Sequence, residues 1–167
     1  DLYDQAFVLF ALAHAADALN RPDLAAEAGA LWKLLETRWT RPSGGFAEGE
    51  VEPAGRRRQN PHMHLFEAAM ACGDLLPSLR MQPRVAALGQ MFLTHFRDPA
   101  HNVVREYFNE AWTPAAGDAG HIWEPGHSFE WVWLLQQWAQ RGGPDSGAIA
   151  RALYDQAAGD GVDRARN

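Results

Sequence analysis

Six segments of the chain carry apolar residues at helical spacing, and they alternate in kind. Residues 3–19 are apolar nearly all round (Phe7, Val8, Leu9, Phe10, Leu12). That predicts a helix buried on most sides, closed by Asn20-Arg21-Pro22. Residues 23–39 put Leu24, Ala28, Leu31 and Leu35 on one stripe and Glu27, Lys33, Glu36 and Arg38 on the other side. One face of that helix meets water. The alternation repeats in 61–76, broadly apolar, and 83–96, with Val85, Leu88, Phe92 and Phe96 on one stripe. It repeats again in 125–138, apolar nearly all round, and 145–158, where Ile149, Leu153 and Ala157 share a face. A Gly/Pro-rich loop over 40–55 has room for a short hairpin, and 102–108 (NVVREYF) has strand-like patches.

Three helical hairpins therefore recur at roughly 60 residues, each pairing a buried helix with a half-exposed one. An inner and an outer ring of helices produces that alternation. The fold expected is all-α: helical hairpins of an (α/α)6 barrel, here about three of them, a half toroid with short β-hairpin-like loops. A closed ring needs about twice this length. Residues 1–167 read as a single domain, the central part of a longer barrel. The chain opens without Met in a helical pattern and stops on GDGVDRARN, which reads as mid-loop.

Composition narrows the class. A chain of 167 residues can bury roughly 70% of its unfolded surface. Seven Trp and eight Phe imply a bulky core or a pocket walled by rings. The net charge of −6 argues against a nucleic-acid surface, with Arg56, Arg57 and Arg58 a local exception. Cys72 is the single cysteine, so no intrachain disulfide forms, which fits a reducing compartment. No run approaches a membrane span and no signal pattern is present. The expectation is a soluble, cytoplasmic protein without membrane partners.

The candidate chemistry sits where two buried helices begin. His64-Leu65-Phe66-Glu67 and His127-Ser128-Phe129-Glu130 repeat one pattern, each behind a proline, in Asn60-Pro61 and Glu124-Pro125. Both sites read as an N-cap followed by proline at the first helical position. A histidine in the first turn feels the positive end of the dipole, which favours the neutral imidazole and suits a general base. The glutamate three residues on shares its face and can hold the ring or bind a hydroxyl. A local ion pair or capping arrangement produces the same pattern. Parallel inner helices open at one end of a barrel, so both motifs are expected in one cavity. A metal site from His62, His64, His121 and His127 matches no zincin spacing, and His62 and His64 point to different faces, so no metal is expected. Trp131, Trp133 and Trp138 read as core, with at most one ring reaching the cavity. His14, His95 and His101 read as surface or satisfied residues. One of Arg57 and Arg58 is expected to face the cavity. Gly44-Gly45 and Gly142-Gly143 are turn punctuation and form no phosphate loop.

The segments DLYDQAFVLFALA, RRRQNPHMHLFEAAMA and WEPGHSFEWVWLL resemble the N-acylglucosamine 2-epimerase family. The resemblance implies an (α/α)6 barrel that isomerises or epimerises a free sugar, mannose- or N-acetylglucosamine-like, without cofactor. This chain would be its middle portion. It further implies that His127 is one of two acid/base catalysts and Glu130 binds sugar hydroxyls. Asn60 and His64 contact the sugar near its reacting end, and Tyr3 touches substrate. Arg57, Arg58 and Glu67 join the substrate-binding set on their positions beside these. The family's second catalytic histidine lies near the C-terminus and matches no segment here. Two other readings stand beside this one. A glycoside hydrolase would use two carboxylates among Glu67, Glu106, Glu124 and Glu130. A catalytically incomplete binding module, its inner helices covered by a partner or a second copy as in a homodimer, needs no chemistry.

Overall fold

The computed structural model describes residues 1–50 and 56–161; the rest of the Gly/Pro loop (51–55) and the tail (162–167) lie outside the described residues. Its helices are α1 (Leu2–Ala18), α2 (Pro22–Leu34), α3 (Asn60–Leu75), α4 (Gln82–Met91), α5 (Pro125–Gln140) and α6 (Gly147–Asp160). Each begins and ends within a few residues of the hydrophobic pattern. They form three hairpins, α1/α2, α3/α4 and α5/α6, and the odd-numbered helices also pack on one another, α1 on α3 and α3 on α5. This is the inner and outer layering of an α/α barrel, in part.

The core lies between the layers and is aromatic. Trp131 of α5 stacks on Phe66 of α3 at 5.7 Å and on Phe92 at 4.2 Å, with Trp138 set edge-on to Phe66 at 5.6 Å. Gly89 lets α4 approach α5, because a Cβ there would lie 2.5 Å from the Trp138 ring. These four aromatic side chains and the Leu and Met around them supply the apolar burial that holds the hairpins together.

Two features differ from the sequence pattern. The outer helices α2 and α4 do not run on regularly but end in π-helical turns, Leu35–Trp39 and Phe92–Phe96. And α1 is not buried on most sides: it buries Leu2, Ala6, Leu9 and Ala13 but leaves Tyr3, Phe7 and Val8 exposed. It packs on α2 and α3, and the inward side of the layer is open.

After each π turn the chain folds back over the start of its own inner helix. Arg97–Asp98 (β2) pairs antiparallel with Val103–Val104 (β3), while Thr40 and Phe46 form the matching single bridge of the first repeat. Arg57–Arg58 (β1) pairs with Tyr107–Phe108 (β4), which ties the loop of the second repeat to the entry of α3. In the first repeat the Leu2 N–H donates to Glu48 O at 2.9 Å; in the second the Gln59 N–H donates to Glu106 O at 3.2 Å. Glu48 and Glu106 are thus equivalent residues of two repeats. Both are buried.

Candidate active site

His127 occupies the first turn of α5, its side chain 16% exposed. Its Nδ1 lies 3.0 Å from Glu106 Oε1 and 3.7 Å from Glu124 Oε2. A carboxylate only accepts, so Nδ1 carries the proton and Nε2 is the nitrogen left for chemistry. The sequence expectation of a ring kept neutral by the helix dipole is corrected here. The proton affinity of His127 is raised, chiefly by the hydrogen bond it donates to Glu106 and further by the charges of Glu106, Glu124 and Glu130. A dipole contributes about 0.3–1 kcal/mol at a helix end, whereas a hydrogen bond to a charged group contributes about 1.5–3. The carboxylate wins.

Behind this pair lies a buried amide. Gln59 Nε2 donates to the second oxygen of Glu106 at 3.1 Å, and Gln59 Oε1 accepts from the indole N–H of Trp131 at 2.8 Å. Because Gln59 is the residue before α3, this commitment also corrects the predicted cap. Helix α3 starts at Asn60, with Gln59 in the N-cap position and making no capping bond. Asn60 Oδ1 is buried without a hydrogen-bond partner among the described residues.

The neighbouring wall is built by α1 and α3. His64 Nδ1 lies 3.3 Å from Glu67 Oε2, and its Nε2 lies 3.9 Å from Glu130 Oε2 of α5. The ring packs against Tyr3 at 5.1 Å and Phe7 at 4.8 Å. Tyr3, His64, Glu67 and Glu130 are therefore brought together, and the helix that carries Glu130 carries His127 one turn earlier. Below them a groove of about 280 Å³ runs past Phe10, His14, Glu67 and Trp133. Trp131 and Trp138 are buried, and Trp133 is the ring left at the surface. A cavity of about 490 Å³ at the far ends of α3 and α5 holds Trp138 and the Arg141–Asp74 ion pair but no histidine.

The two arginines part ways. Arg57 is buried; its guanidinium donates to Ser43 Oγ and to the carbonyls of Gly44, Phe46 and Glu110, and lies 3.9 Å above the Trp112 ring. Arg58 is exposed and pairs with Glu48 at 2.6 Å. His62 faces away from the site. Its Nε2 accepts the Phe46 N–H at 3.0 Å and its Nδ1 donates to Arg58 O at 3.2 Å. Burial, aided by the charge of Arg57, lowers its pKa to about 3. Among the described residues, the four histidines considered for a metal form no group of converging ligand atoms. Glu106, Glu124 and His127 do present ligand atoms within 4.8 Å of one another. A cation there would have to displace the Nδ1 proton.

Glu106 and Gln59 are the residues the sequence reading did not place around His127. The signal for Glu106 was the repeat itself: Phe46-Ala47-Glu48 and Val104-Arg105-Glu106 follow the two π turns at equivalent places. Gln59 carried no signal of its own.

These hairpins form part of an α/α barrel, with the histidine-led wall at the starts of its inner helices. A sequence model of the N-acylglucosamine 2-epimerase (GlcNAc 2-epimerase) family matches residues 1–167, and the chain belongs to that family. It is 39% identical over 169 residues to a mannose-6-phosphate isomerase of Rhizobium meliloti (strain 1021), a match spanning 97% of this chain and 43% of that protein. Cellobiose 2-epimerase from Spirochaeta thermophila DSM 6192 superposes with a TM-score of 0.80 at 25% identity, over 95% of this chain and 43% of that one. A D-mannose isomerase shares the fold with a TM-score of 0.77 at 23% identity, over 95% and 42%. The chain spans less than half the length of each of these relatives. Among the described residues, no helix is long and apolar enough to cross a membrane.

Proposed function

We propose that this chain forms one wall of a sugar isomerase or 2-epimerase site acting on a free monosaccharide, mannose- or N-acetylglucosamine-like. The observation that carries the reading is His127, held through Nδ1 by Glu106 and, among the described residues, without a hydrogen-bond partner at Nε2, beside a polar wall. In the open-chain aldose, Nε2 takes the proton from C2 and the electron pair passes into the C1 carbonyl, giving an enediolate. Returning that proton to C1 as the O2 hydroxyl proton moves to O1 yields the ketose. Returning a proton to C2 from the opposite face yields the epimer and needs a second acid, from outside the α1–α3–α5 wall.

The wall supplies the rest. Asn60, whose buried Oδ1 has no hydrogen-bond partner among the described residues, accepts a sugar hydroxyl near the reacting end. His64, kept in place by Glu67, Tyr3 and Phe7, faces the same carbons, and Glu130 and Tyr3 hold hydroxyls further along. Arg58 is the exposed arginine and the one able to offset enediolate charge. Arg57 acts by fixing the Ser43–Phe46 loop beneath it.

The test is exchange of the substrate C2 proton with solvent deuterium in the whole polypeptide. His127→Asn should lower the exchange rate by roughly 10²–10⁴, with substrate binding retained. Undiminished exchange removes His127 from the mechanism.

A further inference from the structure

His127 has a partner in Glu106, but a buried carboxylate has two oxygens, and both must be assigned. Gln59 Nε2 lies 3.1 Å from Glu106 Oε2 and 3.2 Å from His127 Nδ1. Two donors therefore converge on one carboxylate, and they must be kept on separate oxygens. What sorts them is Trp131. Its indole N–H can only donate, and it lies 2.8 Å from Gln59 Oε1, so the amide cannot flip and must present its NH₂ to Glu106. Gln59 and Trp131 are wholly buried, and Glu106 is 3% exposed. Trp131 is in turn immobilised between Phe66 and Phe92.

We infer that Gln59, oriented by Trp131, is a positioning residue: it occupies Glu106 Oε2, reserves Oε1 for His127 Nδ1, and so fixes Nε2 as the proton-transfer nitrogen. The inference rests on the proposed role of His127. It links the stacked aromatic core to the reacting nitrogen through one amide and one carboxylate. Gln59 has a second effect, on charge. By donating to Glu106 it draws off part of the carboxylate's negative potential, which otherwise holds the imidazolium more strongly. Gln59 thus limits how far Glu106 raises the proton affinity of His127.

That gives opposite signs for two neighbouring substitutions, which general loosening of the site cannot do. In the whole polypeptide, the tautomer and pKa of His127 are read by ¹⁵N-detected imidazole resonances, assigned by their loss in His127→Asn. In the unaltered protein the neutral ring should carry its proton on Nδ1. Glu106→Gln should lower the His127 pKa, whereas Gln59→Leu should raise it. Trp131→Phe, which keeps the ring stack and deletes the N–H, should raise it by less. In the Gln59→Leu background, Trp131→Phe should produce no further shift. Turnover at a pH above the His127 pKa should fall roughly ten-fold in Gln59→Leu with KM held, as for partners that orient a functional imidazole. A neutral ring protonated on Nε2 overturns the inference. So does a Gln59→Leu pKa that stays put or falls. If Gln59→Leu fails to fold, the Trp131→Phe shift decides alone, a fall or no change counting against. The resonances report on the relay whether or not the sugar reaction depends on His127, so its failure is distinguishable from failure of the isomerase reading.

Discussion

At the scale of single residues, two histidines near the starts of inner helices are driven in opposite directions by what each meets. His127 gains a carboxylate at 3.0 Å and holds its proton more tightly. His62 is driven the other way by burial, aided by the Arg57 charge, and is neutral down to about pH 3. As the proposed base, His127 would work only when neutral, so turnover should rise with pH through a value above the ordinary 6.5. Replacing Glu106 by Gln removes the cause; the acid limb should move to lower pH and the plateau should drop by about 10²–10⁴, as when an orienting carboxylate is lost. A pH–rate profile of the two proteins checks both. For His62 the readout is stability. Its folded pKa is depressed, so between about 3 and 6.5 the unfolded chain binds the extra proton. Its contribution is present in full above 6.5 and is lost as pH falls, by up to about 1.4 kcal/mol per pH unit. Urea unfolding midpoints should decline across that window, and His62→Gln, which cannot titrate, should flatten the decline.

At the scale of elements, the helices were legible because each buries one stripe against a fixed neighbour, and that stripe repeats at helical period through Leu24, Ala28, Leu31 and Leu35. The π turns at Leu35–Trp39 and Phe92–Phe96 were not. An extra residue in one turn leaves the apolar spacing on either side intact, and the turns end with Trp39 packed against the core and Phe96 buried in it. The site divides the same way. His64, Glu67, His127 and Glu130 lie on one face of helices and were visible as an i, i+3 echo. Glu106 reaches His127 from a loop, where no periodicity marks a side chain. Interhelical contact is the other element that pattern alone does not reveal, and Gly89 shows it. A methyl at this position would press into the Trp138 ring, so Gly89→Ala should destabilise by about 1–3 kcal/mol despite its better helix propensity. Thermal or urea unfolding measures this, and Trp138→Leu in the same chain should relieve part of it.

At the scale of the whole molecule, the inward side of α1, α3 and α5 is the unusual surface. Tyr3, Phe7, Val8 and Trp133 are each exposed by more than a third, and all but Val8 adjoin the site or its groove. Monomeric proteins rarely leave contiguous apolar patches of this kind in water. Each of these residues is already more than half buried, so covering the remainder would release about 0.5–1.5 kcal/mol per side chain. The same side carries the proposed sugar wall, so whatever covers the aromatic part must leave His127 and Glu130 reachable from the opposite direction. An opposing wall of inner helices meets both requirements, and it is also where a second acid for C2 epimerisation would have to stand. Produced as the 167-residue chain alone, the protein should therefore bind a hydrophobic dye such as ANS or self-associate, with little dependence on salt. Phe7→Ser combined with Trp133→Ser should abolish this while leaving the helical circular dichroism unchanged. In a polypeptide where an opposing wall of inner helices covers these rings, the same pair of substitutions should instead lower the melting temperature. Dye binding by the short chain that persists in the double variant would place the exposed apolar surface elsewhere.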